Sequence, residues 1–122
     1  MTLHDRPTAG ELVAAVKEYL ERDVMPATEG RVAFHARVAV NVLGMVEREL
    51  ALGAVQDAEE HDRLVALLGR DGTVRELTEV LARGIRDGSL DVPWSDVVES
   101  VRGTVRAKLE VANPGYTSAP ER

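Results

Sequence analysis

The sequence predicts an all-α protein, a single-domain helical bundle of about five helices with a long central second helix. Apolar residues recur at spacings of three and four rather than in alternation, which is typical of helices that bury one face. Two Thr-x-x-Glu motifs, Thr8 with Glu11 and Thr73 with Glu76, have the capping-box spacing that marks a helix start. A length of 122 residues suits one domain with its own core.

The first helix is expected to begin after Thr8 and to end at Pro26. The proline ring clashes with the preceding helical turn and favours an extended conformation at Met25. The apolar stripe of this helix consists of Leu12, Val13, Val16, Tyr19 and Leu20.

The second helix is predicted over about residues 31–52, with Gly53 as its left-handed stop. Its apolar residues nearly surround it, so it is either central to the fold or covered by a partner. A third, shorter helix is predicted over about residues 55–68, followed by a turn at residues 69–72.

The fourth helix follows the Thr73 cap and ends at Gly88, and the fifth has Pro93 in its first turn and stops at Asn113-Pro114. The predicted core residues of the fourth helix are Val74, Leu77, Leu81 and Ile85. Those of the fifth are Trp94, Val97, Val98, Val101, Val105 and Leu109.

The domain prediction is one helical domain over residues 1–116 and a flexible C-terminal tail over residues 117–122. Tyr116 is expected to pack back on the body of this domain. No internal repeat, low-complexity tract or linker divides the chain.

Composition excludes several classes of function. The chain has 15 Lys and Arg against 21 Asp and Glu, a net charge of −6, which argues against a nucleic-acid partner. It has no cysteine, so disulfides, thiolate nucleophiles and cysteine metal sites are excluded. Without an apolar run of about 18 residues or a signal peptide, we expect no membrane association and a cytoplasmic location.

The sequence contains no recognisable catalytic constellation. The histidines, His4, His35 and His61, lack the spacing of zinc and di-iron motifs, so we expect no metal. The glycines at residues 69–72 lack the pattern of a phosphate-binding loop, and no nucleophile elbow is present. We therefore expect no catalytic residue and no cofactor.

The second helix carries an unusual stripe, Phe34, Val38, Asn41 and Met45, which fall on one helical face. Arg37 and Arg48 flank this stripe on the side of Asn41, and His35 flanks it on the other side. One interpretation is internal: the two arginines pair with carboxylates of neighbouring helices, and Asn41 caps a loop. The other is that these groups meet a docked partner, because arginine is common at binding hot spots.

Several motifs resemble a family of small bacterial proteins of unknown function that are encoded beside aminoglycoside-phosphotransferase-like kinases and acyl-CoA dehydrogenases. The family is similar to the accessory protein of the levulinate-catabolism hydroxyacyl-CoA kinase. The resemblance spans essentially the whole chain, although residues 54–91 carry little of it. Its motifs are His4-Asp5-Arg6-Pro7-Thr8-Ala9, Glu29-Gly30-Arg31, Phe34-His35-Ala36-Arg37-Val38-Ala39 with Asn41, Glu47-Arg48-Glu49-Leu50 with Gly53, Lys108-Leu109, and Asn113-Pro114 with Tyr116.

The resemblance implies a non-catalytic accessory subunit that binds and supports a phosphotransferase-like kinase acting on hydroxyacyl-CoA in acyl-CoA catabolism. Two alternatives remain open: a homo-oligomer, with a homodimer as the commonest form, and a small ligand-binding protein that uses His35, Arg37 and Asn41. The candidate binding residues are Phe34, His35, Arg37, Asn41 and Arg48, with Asn113 and Tyr116 as secondary candidates.

Overall fold

A computed structural model describes residues 3–117, and within this range every regular element is helical. The main helices are α1 (Ala9–Tyr19), α3 (Gly30–Leu68), α4 (Val74–Asp87) and α5 (Trp94–Ala112). A π-helical turn (Leu20–Val24) and the short α2 (Met25–Ala27) follow α1, and the short α6 (Pro114–Thr117) follows α5. The predicted all-α class with a long helix early in the chain is confirmed.

The two predicted helix starts form as expected. Thr8 Oγ1 accepts the backbone N–H of Glu11 at 3.1 Å, and the Glu11 carboxylate accepts the N–H of Thr8 at 3.4 Å. Thr73 and Glu76 make the same reciprocal pair at 3.1 and 3.3 Å. Each box satisfies two N–H groups that have no partner within the helix.

The expectation that Pro26 ends the first helix with Met25 extended is wrong. Met25 is helical (φ −61°, ψ −47°), and the chain stays helical through Ala27 until Thr28 turns extended. The π-helical turn directly before Met25 explains the difference. A π turn shifts the hydrogen-bond register by one residue, which accommodates a proline that could not fit an unbroken α-helix.

The predicted stop at Gly53 is also wrong, since Gly53 lies inside α3, which is 39 residues long. The second and third predicted helices are therefore one helix, about 58 Å long at 1.5 Å per residue. A glycine inside a helix costs only about 1 kcal/mol, which packing over a long helix outweighs. The left-handed glycine after α3 is Gly69, with φ 65°.

Contacts divide the described chain into two compact units, residues 3–53 with 111–113 and residues 54–110 with 114–117. The prediction of a single domain over residues 1–116 stays a prediction. Of the predicted tail, Thr117 belongs to α6, and residues 118–122 lie outside the described residues.

The second unit has a buried apolar cluster. It consists of Leu64 of α3, Leu77 and Leu81 of α4, and Val97 of α5. Burial of one such side chain stabilises the fold by about 1.5–3 kcal/mol. The prediction for α4 is confirmed at Leu77 and Leu81, whereas Ile85 is exposed.

The predicted core stripe of α5 is only partly right. Val97 is buried, but Trp94, Val101 and Val105 are exposed. The inward face of α5 continues from Val97 through small residues, among them Ser100 and Thr104, which allow side chains of α3 to reach the α5 backbone. For example, the amide of Gln56 donates to the carbonyl oxygen of Ala107 at 2.9 Å.

Among the described helices, none combines the length and the apolar character that crossing a lipid bilayer requires.

Candidate functional site

The predicted stripe on α3 lies on an exposed face of the first unit. Phe34 is 61% exposed, Val38 43% and Met45 39%, and Asn41 between them is exposed as well. We call Phe34, Val38, Asn41 and Met45 the α3 stripe. Ala36, on the opposite side of the same helical segment, is buried. The structure therefore brings the stripe residues together, on the side of α3 that has no cover within its unit.

The residue sizes on the two sides of α3 explain which side packs. The small Ala36 lies on the buried side, and the space beside Gly44 is filled by the guanidinium of Arg48, whereas Phe34, Val38 and Met45 project from the exposed side. Each large apolar side chain would gain about 1.5–3 kcal/mol on full burial. A contiguous exposed apolar face of this kind is typical of an interaction surface.

The polar candidates beside the stripe are accessible. Arg37, His35 and Asn41 are exposed, and no residue of the described chain gives any of them a hydrogen bond or an ion pair through its side chain. The ring of Phe34 lies 5.6 Å from that of His35 at a tilt of 55°. The structure thus gives Arg37 no carboxylate partner and Asn41 no loop to cap.

Arg48 has a different role from Arg37. It is half-buried, and its Nε donates to the carbonyl oxygen of Val111 at 2.7 Å. Val111 lies in the last turn of α5, where carbonyl groups lack partners within the helix and a positive charge is favourable. The expected partner of Arg48, a carboxylate, is therefore replaced by a helix-end carbonyl within the first unit.

The secondary candidates lie at the end of α5 and on α6. Asn113 separates the two helices, as predicted, and is exposed. Tyr116 is 68% exposed, so the expectation that it packs back on the body is wrong.

Asn41, His35 and Arg37 line neither of two grooves in the described chain. The first unit has a groove of about 170 Å³ between α1 and α3, in which Lys17 pairs with Glu47 at 2.9 Å and Arg22 with Glu18 at 2.6 Å. The second unit has a groove of about 400 Å³, lined by residues of α3, of α5 and of the segment before α5. The α3 stripe is thus an open face, a geometry that suits a macromolecular partner better than a small ligand.

Two polar residues of the larger groove, Arg63 and Ser100, were not among the residues predicted from the sequence. A signal was available for Arg63, because Glu60 precedes it by three residues, which is a helical pairing distance. No local signal existed for Ser100, since its inward position depends on how α5 packs.

The side chain of His61 stabilises the turn that follows α3. Its Nε2 lies 3.1 Å from Asp71 Oδ1 and 3.0 Å from the carbonyl oxygen of Gly72, so this nitrogen carries the proton. The backbone N–H of Gly72, and then the His61 ring, lower the pKa of Asp71 below its ordinary value.

Within residues 3–117, no three His, Cys, Asp or Glu side chains cluster closely enough to hold a metal ion.

Comparison with known proteins identifies one family. The family described as a domain of unknown function (DUF6285) matches residues 26–116. No curated protein and no solved structure matches the chain. The matched segment includes the α3 stripe and Arg37. It also includes α3 and α5, the two helices whose residues line the larger groove.

Proposed function

This chain belongs to the DUF6285 family of unknown function, and we propose that it is a non-catalytic accessory subunit that binds and supports a kinase. The proposed partner is a phosphotransferase-like kinase that acts on hydroxyacyl-CoA in acyl-CoA catabolism. The observation that carries the proposal is the exposed α3 stripe with the unpaired Arg37 beside it.

The composition of the stripe supports a protein partner. Interfaces combine an apolar centre with arginine and aromatic anchors, and the stripe places Phe34 and Met45 beside Arg37 and Asn41. Arg37 is pre-positioned on a helix, and no internal carboxylate of residues 3–117 competes for its guanidinium. A partner that supplies an acceptor for Arg37 and an apolar groove for Phe34 would fit this face.

The identity of the partner rests on the resemblance of the sequence motifs. The Phe34-His35-Ala36-Arg37-Val38 segment, which is part of the specific core motif of the resemblance, also contributes to the exposed face. The kinase partner, its hydroxyacyl-CoA substrate and the supporting role are drawn from that resemblance.

Co-expression with an aminoglycoside-phosphotransferase-like kinase encoded beside family members tests the proposal. We expect the two chains to co-purify and the kinase to release more ADP from ATP and hydroxyacyl-CoA when the accessory chain is present. If the two chains separate on purification and the kinase activity is the same without this chain, the proposal fails.

Matched variants locate the contact. Arg37→Ala and Val38→Asp should each weaken the complex by about 2 kcal/mol, the usual threshold of a hot spot. Arg75→Ala and Val105→Asp change similarly exposed residues of α4 and α5 and should leave binding unchanged. Equal losses in all four variants would place the contact elsewhere.

A second copy of this chain is the other candidate occupant of the same face. Two-fold homodimers are the commonest oligomers, and the stripe could pair with itself in an isologous contact. Light scattering on the purified chain distinguishes the two: a dimer that Val38→Asp converts to a monomer would favour self-association over the kinase.

A further inference from the structure

The larger groove of the second unit has the size of a small-molecule site. Its volume of about 400 Å³ falls within the usual range of roughly 300–1,000 Å³ for ligand pockets. Its apolar lining includes Leu67 of α3 and Val92, which precedes α5. Its polar lining consists of Arg63, Asp96, Glu99 and Ser100.

Two donors in this groove lack acceptors. Ser100 is only 8% exposed, yet its hydroxyl has no hydrogen-bond partner in the described chain. Arg63 Nε is also enclosed without an acceptor in the described chain, and it lies so close to α5 that a β-carbon at Gly103 would come within 2.9 Å. Buried donors are almost always paired in native proteins, so two unpaired ones in one groove point to a ligand that supplies the acceptor.

The charges of the groove favour a cation. The guanidinium of Arg63 is bonded to the Glu60 carboxylate, whose other oxygen accepts from Thr104 Oγ1 at 2.6 Å, so the charge of Arg63 is already neutralised. Asp96 and Glu99 are exposed, and no cationic side chain of residues 3–117 pairs with them. An anionic ligand would therefore meet repulsion, whereas an ammonium group would meet two carboxylates.

We propose that this groove binds a small organic amine that also carries a neutral hydrogen-bond acceptor. Its ammonium group lies beside Asp96 and Glu99, and its alkyl chain contacts Leu67. Its acceptor accepts hydrogen bonds from the hydroxyl of Ser100 and from the Nε–H of Arg63. The site uses no residue of the α3 stripe, so it is separate from the proposed kinase contact.

Titration of the isotope-labelled full chain by NMR tests this assignment with three probes: ε-aminocaproamide, hexylamine and hexanoate. We expect ε-aminocaproamide to give saturable shifts at the backbone amides of residues 96–100 and at Arg63 Nε–H. Hexylamine lacks the acceptor and should bind about 25-fold more weakly, the effect of two lost hydrogen bonds. Hexanoate carries the opposite charge and should not bind.

Variants separate the two ends of the ligand. Ser100→Ala should weaken ε-aminocaproamide about fivefold and leave hexylamine unchanged. Asp96→Asn and Glu99→Gln should each weaken both amines about threefold, as exposed charge pairs do. Glu59→Gln removes the same charge from an exposed position of α3 outside the groove and should change neither.

A measurement without ligand keeps the test independent of the probe. Because the hydroxyl of Ser100 has no partner, Ser100→Ala should keep or raise the Tm of the chain. A lower Tm would show an internal role for the hydroxyl and overturn the proposal. Three other results would also overturn the proposal. The chemical shifts could fail to saturate, hexanoate could bind as tightly as the amines, or Ser100→Ala could weaken both amines equally.

Discussion

At the scale of single residues, two arginines that flank the same stripe differ in what they contact. Arg48 donates from Nε to the Val111 carbonyl, so the fold uses its side chain to complete the end of α5. The side chain of Arg37 is exposed and has no hydrogen-bond or ion-pair partner in the described chain. The difference follows from position along α3 rather than around it: eleven residues leave the two arginines only about 20° apart on the helix, and Arg48 lies where its side chain reaches the end of α5.

Paired alanine variants should separate stability from binding. Arg48→Ala should lower the free energy of unfolding by about 1–3 kcal/mol, because a charge-assisted bond to a helix-end carbonyl is lost. Arg37→Ala should change it by no more than about 0.5 kcal/mol, as surface substitutions do. Urea denaturation measures both values. A large loss of stability in Arg37→Ala would mark that residue as internal and remove it from the docking face.

The Asp71 carboxylate should give a small, pH-dependent stabilisation. Its pKa is lowered in the folded chain by the Gly72 N–H and by His61, so its contribution is fully present above its ordinary pKa of 3.8. The contribution is lost as the pH falls through the lowered pKa of the folded chain. Asp71→Asn should therefore lower the Tm at pH 7, whereas in strong acid the variant and the unaltered chain should have the same Tm. An equal difference at both pH values would exclude this linkage.

At the scale of elements, the long helix α3 and the inward face of α5 show how packing overrides local signals. Gly53 has the residue type of a helix stop, yet α3 continues, because packing along a long helix outweighs the cost of about 1 kcal/mol for a glycine in a helix. The valines of α5 have the spacing of a core stripe, yet small residues such as Ser100 and Thr104 face inward.

Two glycine variants should have opposite effects. At Gly53 a β-carbon would meet only Glu49 Cγ at 3.9 Å, so Gly53→Ala should stabilise the chain by about 0.5–1 kcal/mol. At Gly84 a β-carbon would lie 2.5 Å from Leu90 atoms, so Gly84→Ala should destabilise it. Overpacking costs about 1–3 kcal/mol, which exceeds the helix-propensity gain. Thermal unfolding compares the two, and stabilisation by both variants would show that Leu90 moves aside freely.

At the scale of the whole molecule, the buried apolar cluster and the α3 stripe belong to different units. Leu64, Leu77, Leu81 and Val97 form the buried cluster, and all belong to the second unit. The α3 stripe belongs to the first unit, and its large apolar residues are exposed. If the stripe is the partner contact proposed above, stability and partner binding depend on different residues, so a mutation should change one without the other.

Truncation of an equally apolar residue in each set should show this separation. Leu77→Ala should lower the free energy of unfolding by about 2–5 kcal/mol, since its side chain is only 1% exposed. Phe34→Ala should change it by no more than about 0.5 kcal/mol while weakening partner binding. Chemical denaturation gives both values. A loss in Phe34→Ala as large as that in Leu77→Ala would show that the stripe is covered within the chain.

The sequence by itself determined the helical class, both capping boxes, the end of α4 at Gly88 and the grouping of the α3 stripe on one face. These features depend on residues within about four positions of one another, so local hydrogen bonding and helix geometry decide them. The sequence did not determine whether a glycine or proline interrupts a helix. Such a residue costs the helix about 1–3 kcal/mol of stability, and packing decides whether this cost is offset.

Only the tertiary structure decided which face of each apolar helix is buried. The first half of α3 is apolar on most sides, so its pattern is equally compatible with either face being covered. Residues distant in sequence make the choice, as when Val111 accepts from Arg48 or when α5 turns Ser100 inward. Burial is a collective property of packed elements, and for this reason both the exposure of the α3 stripe and the groove at Ser100 required the folded chain.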